Sequence, residues 1–281
     1  MFLNFLKIAF RHMVKNRLYT IINIFSLVMG LICFLVIGIY VYSEKSFDQH
    51  HSKSKHIYRI IQNVKTDFDT KYYANVPGPL TGLLKENTAD VKTAVRIWNY
   101  WSLGFNVRYQ DRMFKEVNLA FADSTLFNIF DFEFVAGDAQ NALTSPHSVV
   151  LTESAKRKYF ADADPIGKAL RINDGYDLFV TGVIKDVPAR SHFHYDFFAS
   201  MSTLDQMMWK HEINSWRSGF CFAYILTSDN AAIESIENAM ASLQQRHGSN
   251  DKISIRYALQ PLEDIHLNSY CEDELHPGGS L

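Results

Sequence analysis

Residues 18–43 read LYTIINIFSLVMGLICFLVIGIYVYS and contain no charged side chain. A helix of about 20 apolar residues crosses the roughly 30 Å hydrocarbon layer of a bilayer, so this stretch is long enough to span it even when tilted. Tyr19 at one end, and Tyr40 and Tyr42 at the other, fall where aromatic rings favour the headgroup region. The stretch therefore predicts a transmembrane helix.

Two other kinds of segment can also be long and apolar. A helix buried in a soluble protein rarely runs so far without charge. A cleavable signal peptide has an apolar region of about 7–15 residues that ends at a small-residue cleavage site. No such site follows Tyr42. A retained transmembrane helix is therefore preferred, and the signal peptide is the main alternative.

The flanking charges predict the orientation of this helix. The charged residues before it are all basic, whereas both signs follow it, at Glu44, Lys45 and Asp48; the basic residues before it are Lys7, Arg11, Lys15 and Arg17. Positive flanks stay in the cytoplasm, so residues 44–281 are expected to be extracytoplasmic. Residues 1–17 carry apolar side chains at helical spacing against basic ones, which favours an amphipathic helix in the membrane plane on the cytoplasmic side. A basic, partly helical tail is the alternative.

The composition of the chain excludes several classes of protein. Of the 281 residues, 47% are hydrophobic and 21% are charged, and the formal net charge is -2. A buried core can form, and no basic excess indicates a nucleic-acid partner. The cysteines Cys33, Cys221 and Cys271 are odd in number and lack C-x-x-C spacing. Neither a disulfide framework nor a zinc site is indicated, so packing has to stabilise the fold.

Periodicity predicts an α+β fold for residues 44–281. Helical patterns follow Pro79 and Thr152, and a further one precedes the last strand, so that a β-α-β unit closes the chain. Ser124 and Thr152 are the predicted helix caps. The predicted helices are residues 80–87, 153–160 and 231–245, with a helical turn at 125–130. The predicted strands are residues 57–64, 91–98, 105–109, 113–121, 131–135, 169–172, 178–184, 220–226 and 253–259.

No motif for catalysis or cofactor binding is complete. A phosphate-binding loop around Gly167-Lys168 needs glycine at position 162 and a hydroxyl at position 169, but these positions hold Asp162 and Ala169. The serine-hydrolase turn and the paired histidines of zinc proteases are incomplete in the same way. We therefore predict no catalytic, cofactor-binding or metal-binding residue, and a protein that is not an enzyme.

His192, His194 and Asp196 are the strongest candidates for a metal site. The two histidines share one face if their segment is extended. No other segment visibly supplies a third or fourth ligand, so a polar strand edge is the preferred interpretation. Aromatic residues after the second predicted strand are expected in a core or interface rather than in a ligand platform: Trp98, Tyr100 and Trp101.

Six segments in order along the chain resemble one known family. Residues 4–31, NFLKIAFRHMVKNRLYTIINIFSLVMGL, resemble the first membrane segment of ABC-transporter permeases of the macrolide-exporter type, which are often grouped with the FtsX-like permeases. The remaining segments resemble the MacB-type periplasmic core of these permeases. They are FDQHHSKSKHIYRI (47–60), FNIFDFEFVAGD (127–138), SVVLTESAKRKYFADADPIGKAL (148–170), VTGVIKDVPARSHFHYDF (180–197) and LQPLEDIHL (259–267).

The resemblance implies a permease subunit of the cell inner membrane, with a periplasmic domain made of a porter-like β-α-β part and an inserted β-rich part. It implies a separate cytoplasmic ABC ATPase as partner, a homodimer or paired permease, and mechanotransmission or substrate export on the far side of the membrane. No cofactor and no catalytic residue carry over.

Permeases of this family return to the membrane and add three more helices after the outer domain. We therefore expect the parent reading frame to continue within about 15 residues of Leu281 into an uncharged stretch of about 20 residues, and the intact protein to be multi-pass. A membrane-anchored sensor or binding module shares the single span and the α+β domain, and it is the alternative function. An anchored extracytoplasmic hydrolase has no supporting motif.

Overall fold

In a computed structural model the chain divides into two compact units, one up to Ser46 and one from Phe47 onward. The structure describes residues 2–66, 68–99, 103–207, 210–216, 219–248 and 254–275. The first unit consists of two helices, α1 (Phe2–Lys15) and α2 (Arg17–Lys45). Within the described residues, α2 is the one helix long and apolar enough to cross a membrane, and none of its residues is buried. The predicted apolar helix is confirmed.

The second unit is built on a mixed sheet to which 14 strands contribute among the described residues. The strands are β1 (Ile57–Lys65), β2 (Thr70–Tyr73), β3 (Asn75–Val76), β4 (Val91–Asn99), β5 (Phe105–Tyr109), β6 (Arg112–Glu116), β7 (Leu119–Ala122), β8 (Phe134–Gly137), β9 (Ser148–Thr152), β10 (Ala169–Ile172), β11 (Tyr176–Ile184), β12 (Phe197–Ser200), β13 (Cys221–Thr227) and β14 (Ser254–Pro261).

Short helices connect these strands. They are α3 (Pro79–Asn87), α4 (Leu126–Ile129), α5 (Glu153–Phe160), α6 (Lys210–Ile213), α7 (Ile233–His247) and α8 (Ile265–Asn268). Single 3₁₀ turns lie at Ser54–His56, Met201–Gln206 and Leu262–Asp264.

The strand order shows an insertion within a smaller domain. The order is β14-β1-β13-β4-β7-β12-β9-β11-β10-β5-β6, with β2 on β1, β3 on β13 and β8 on β11. The first part of the sheet consists of β1 to β4 together with β13 and β14. The chain leaves this part after β4 and returns to it at β13, which lies between β1 and β4. The intervening strands β5 to β12 form the inserted β-rich part, in which β7 and β12, and β9 and β11, pair in parallel. The α+β class and the two-part architecture are confirmed.

The helices of the β-α-β part cover the first strands of the sheet. Ile236, Met240 and Leu243 on one face of α7 share a buried cluster with Leu80 and Leu84 of α3. Their spacing of three and four residues places them on one side of each helix. Each buried side chain of this size stabilises the fold by about 1.5–3 kcal/mol. The helices predicted at residues 80–87 and 231–245 are confirmed.

Two sequence predictions for this unit need correction, and four strands were missed. Residues 113–121 are not one strand, because β6 pairs with β5 whereas β7 pairs with β4 and β12. The helical turn α4 begins after Thr125, not after Ser124, and neither residue forms a side-chain cap there. Strands β2, β3, β9 and β12 were not predicted. The Thr152 cap of α5 is confirmed, since its hydroxyl accepts the Ala155 N–H at 3.2 Å.

Candidate functional site

The first and last segments of the second unit lie against each other. We call residues 47–56, which follow α2 in the chain, the entry segment, and residues 262–275 the closing segment. The ring of Phe47 stacks on that of His266, with centroids 3.4 Å apart. The Ser54 hydroxyl donates to Glu263 Oε1 at 2.9 Å. The two segments are therefore in direct side-chain contact.

A buried ion pair fastens the closing segment to the sheet. Arg59 on β1 is fully buried and donates to both carboxylate oxygens of Glu274, at 2.5 and 2.7 Å. It also donates to Gln260 on the neighbouring strand β14. Burial by itself lowers the pKa of Arg59, but the hydrogen bonds and charge of Glu274 outweigh it and raise that pKa overall. A buried guanidinium is tolerated only when it is paired in this way.

Backbone hydrogen bonds continue this attachment along the sheet edge. The Glu272 N–H donates to Tyr72 O at 2.7 Å, and the Ala74 N–H donates to Glu272 O at 3.2 Å. Lys71 pairs with the Glu272 carboxylate at 2.9 Å, but about half of each side chain is exposed. An exposed pair contributes little to stability. The buried pair of Arg59 and Glu274 is therefore the main fastening.

The entry segment is held by Asp48, which is fully buried. Its N–H donates to Arg190 O at 2.9 Å, and its Oδ1 accepts the His192 N–H at 3.1 Å. The imidazole Nδ1 of His192 lies 2.9 Å from the same oxygen. Burial raises the pKa of the Asp48 carboxyl, but the charge and hydrogen bonds of His192 outweigh this and hold it below its usual value.

Two histidines of the entry segment flank Asp48. His51 is 2% exposed, and its Nδ1 accepts the Asp131 N–H at 3.1 Å. Burial lowers the pKa of His51 to about 3, so this ring is neutral at pH 7. His50 is exposed at the surface. Its partial burial lowers its pKa, although the negative charge of Asp48 acts in the opposite direction. Asp48, His50 and His51 each present one possible ligand atom, and these atoms lie within 4.8 Å of one another.

The structure does not group the metal-site candidates of the sequence together. His192 lies in a loop, where its Nε2 is 2.8 Å from the Tyr224 hydroxyl on β13. Asp196 accepts a hydrogen bond from Asn118 and another from Thr152. His194 lies in the same irregular loop as His192 rather than on a strand. Among the described residues, the group with metal-ligand spacing is instead the one around Asp48.

The residues considered for a phosphate-binding loop and for an aromatic ligand platform have structural surroundings wherever the structure describes them. Gly167 has φ +75° in a turn, and its N–H donates to Val180 O at 2.7 Å. Lys168 lies over the Phe160 ring at 5.7 Å rather than in a phosphate cradle. Trp98 is 5% exposed and packs in the core, whereas Tyr100 and Trp101 lie outside the described residues.

Sequence reasoning missed the residues that fasten the two ends. Arg59 did have a local signal. Together with Ile57 and Ile61 it occupies alternate positions of β1, which is the spacing of residues on one inward face of a strand. Nothing local marked Glu274, which is 215 residues away. The entry segment is rich in His and Lys, but its inward turn at Asp48, where φ is +56°, carries no sequence signal.

The chain therefore combines a helix long and apolar enough to cross a membrane with an α+β unit whose first and last segments adjoin. The family model described as MacB-like periplasmic core domain matches residues 20–243, so the chain belongs to this family. Domains of this family are periplasmic components of ABC-transporter permeases, which together with the N-terminal apolar helix indicates the inner membrane with the second unit extracytoplasmic.

Several solved structures are similar to this chain, and the first of them shares its fold. A domain assigned to a permease protein of Porphyromonas gingivalis has 20% identity and a TM-score of 0.65, over 75% of this chain and 91% of that one. The periplasmic region of MacB from Actinobacillus actinomycetemcomitans has 18% identity and a TM-score of 0.48, over 69% and 87%. The extracellular domain of the ABC-type transporter YknZ from Gram-positive bacteria has 15% identity and a TM-score of 0.49, over 69% and 98%. No curated protein matches the chain.

Proposed function

We propose that the chain is the N-terminal portion of a multi-pass permease subunit of an ABC transporter in the inner membrane. Residues 1–17 lie on the cytoplasmic face, residues 18–43 span the bilayer, and residues 44–281 are extracytoplasmic. The basic residues that precede the span support this orientation. The uncharged run of residues 18–43 within α2 supports the crossing itself.

The energy source in this proposal is a separate cytoplasmic ABC ATPase. The permease acts as a homodimer or as one of a pair of permeases, and it uses ATP hydrolysis for export or mechanotransmission on the far side of the membrane. Membership of the MacB-like family supports these partners. The turn at Gly167-Lys168, which lacks the other residues of a phosphate-binding loop, supports an energy source outside this chain.

The observation that carries the proposal is the joining of the entry and closing segments. The Phe47–His266 stack and the Ser54–Glu263 hydrogen bond link the segments to each other. The Arg59–Glu274 pair links the closing segment to β1, which continues directly from the entry segment. Because the two segments are attached in this way, movement of a membrane helix rotates the second unit as one body and does not separate its end segments from the sheet.

We expect the purified chain to show no ATP hydrolysis of its own. Turnover measured on the detergent-purified wild type should equal that of Lys168→Ala, because contaminating ATPases are unaffected by this substitution. In the complete permease, an ABC ATPase should co-purify, and turnover should disappear when that ATPase loses its own phosphate-binding lysine. Turnover by the wild-type chain that Lys168→Ala abolishes would place the energy source in this chain and refute the proposal.

A further inference from the structure

Two buried polar atoms in the entry segment have no hydrogen-bond partner among the described residues. They are Asp48 Oδ2 and His51 Nε2. Asp48 is 0% exposed and His51 is 2% exposed, so bulk water does not satisfy them. A buried polar atom without a partner is costly, and native proteins usually supply one as a protein group, an ordered water or an ion.

The Asp48 carboxylate is oriented as a ligand. Its Oδ1 faces the His192 N–H, the His192 ring and the Ser191 hydroxyl, at 3.1, 2.9 and 3.4 Å. Its Oδ2 is left entirely for another partner. Hydrogen bonds that fix one oxygen of a carboxylate while the other binds a metal are the usual second layer of a metal site.

His51 and His50 complete the set. The Nε2 of His51 is buried without a partner, and the ring of His50 lies beside that of His51, with centroids 3.9 Å apart. Because the Nδ1 of His51 accepts the Asp131 N–H, the ring proton lies on Nε2, so a metal at Nε2 requires that proton to move to Nδ1 and that hydrogen bond to open. His50 lines a surface pocket of about 370 Å³ together with Asp131, so this ligand is accessible from outside.

We propose that Asp48, His50 and His51 bind one first-row divalent cation, with Zn²⁺ as the best fit. Two imidazole nitrogens and one carboxylate oxygen suit zinc, which commonly takes three protein ligands and a water. The magnesium and calcium ions prefer oxygen ligands and fit less well. The rival occupant is a single water between His51 Nε2–H and Asp48 Oδ2. The site stands independently of the proposed transport role.

The test is Zn²⁺ binding to the full chain, purified in detergent without a polyhistidine tag and stripped with a chelator. Calorimetric titration should show one saturable site per chain, and Co²⁺ should give a visible ligand-field spectrum. His50→Ala should weaken binding at least about tenfold, because it removes one ligand. This side chain is exposed, so the variant is expected to fold. His211→Ala, at an exposed histidine of α6, is the matched control and should bind as the wild type does.

Asp48→Asn is the second variant, with folding checked by circular dichroism. It should also lose Zn²⁺ binding and the rise in Tm that Zn²⁺ produces in the wild type. Absence of saturable binding in the wild type would assign the two buried atoms to water and refute the proposal. Equal binding in wild type and His50→Ala would place the ion elsewhere and refute it as well.

Discussion

Glu274→Ala is expected to lower the free energy of unfolding of the second unit by about 3 kcal/mol. Removing one partner of a buried ion pair costs about 3–5 kcal/mol, because the remaining charge is left uncompensated. We expect the lower end of this range, since Gln260 and Ser269 still accept hydrogen bonds from Arg59. Chemical denaturation of the detergent-solubilised chain, followed by tryptophan fluorescence, measures the change.

The matched control is Asp229→Ala, which breaks the exposed pair with Lys92. Both side chains of that pair are at least half exposed, so the change should stay within about 1 kcal/mol. The double variant Arg59→Met with Glu274→Met should recover much of the loss, because no buried charge remains. A Glu274→Ala effect as small as that of Asp229→Ala would show that the pair does not fasten the closing segment.

Leu31→Asp is expected to shift membrane insertion of α2 by about 2.5–3.5 kcal/mol, which corresponds to roughly a hundredfold change in the equilibrium. Leu31 lies at the middle of Arg17–Lys45, where a carboxylate is farthest from water in a spanning helix. A glycosylation assay with the helix passed through the translocon gives the apparent insertion free energy. Tyr42→Asp is the control, because a charge near the helix end reaches the interface and should cost far less. Equal effects at both positions would contradict a spanning helix.

The elements predicted best from the sequence are those with a complete local signal. The uncharged run of α2, the cap and bounds of α5, and the bounds of β5 and β10 depend on residues within a few positions of each other. Strands β9 and β12 are short and buried along their whole length, so they show no alternation to recognise. The division between β6 and β7 was missed because it is set by their pairing partners, not by a turn motif at Val117.

The functional residues were less predictable than the fold because they act across long sequence separations. Arg59 and Glu274 meet only when the closing segment folds back on β1. Asp48 and His192 are 144 residues apart and meet through an irregular loop. His192 was considered as a ligand together with His194 and Asp196, but a polar strand edge was preferred; in the structure His192 lies in an irregular loop, next to Asp48. The family resemblance was confirmed because its motifs lie in order over most of the chain.

The most direct test of the account is the side of the membrane on which the second unit lies. Phe68, at the tip between β1 and β2, is 97% exposed, so Phe68→Cys presents a reactive thiol there. Asn16→Cys, between α1 and α2, is the matched position on the opposite side. Cys271→Ser removes the partly buried native thiol in both variants, and Cys221 is fully buried, with a pKa that burial raises to about 12.

The measurement is labelling by a membrane-impermeant maleimide in right-side-out and inverted membrane vesicles. We predict that Phe68→Cys is labelled in right-side-out vesicles alone and Asn16→Cys in inverted vesicles alone. The opposite pattern would place the second unit in the cytoplasm and contradict its assignment as the extracytoplasmic domain of a permease. Labelling of both positions from one side would show that α2 does not cross the membrane.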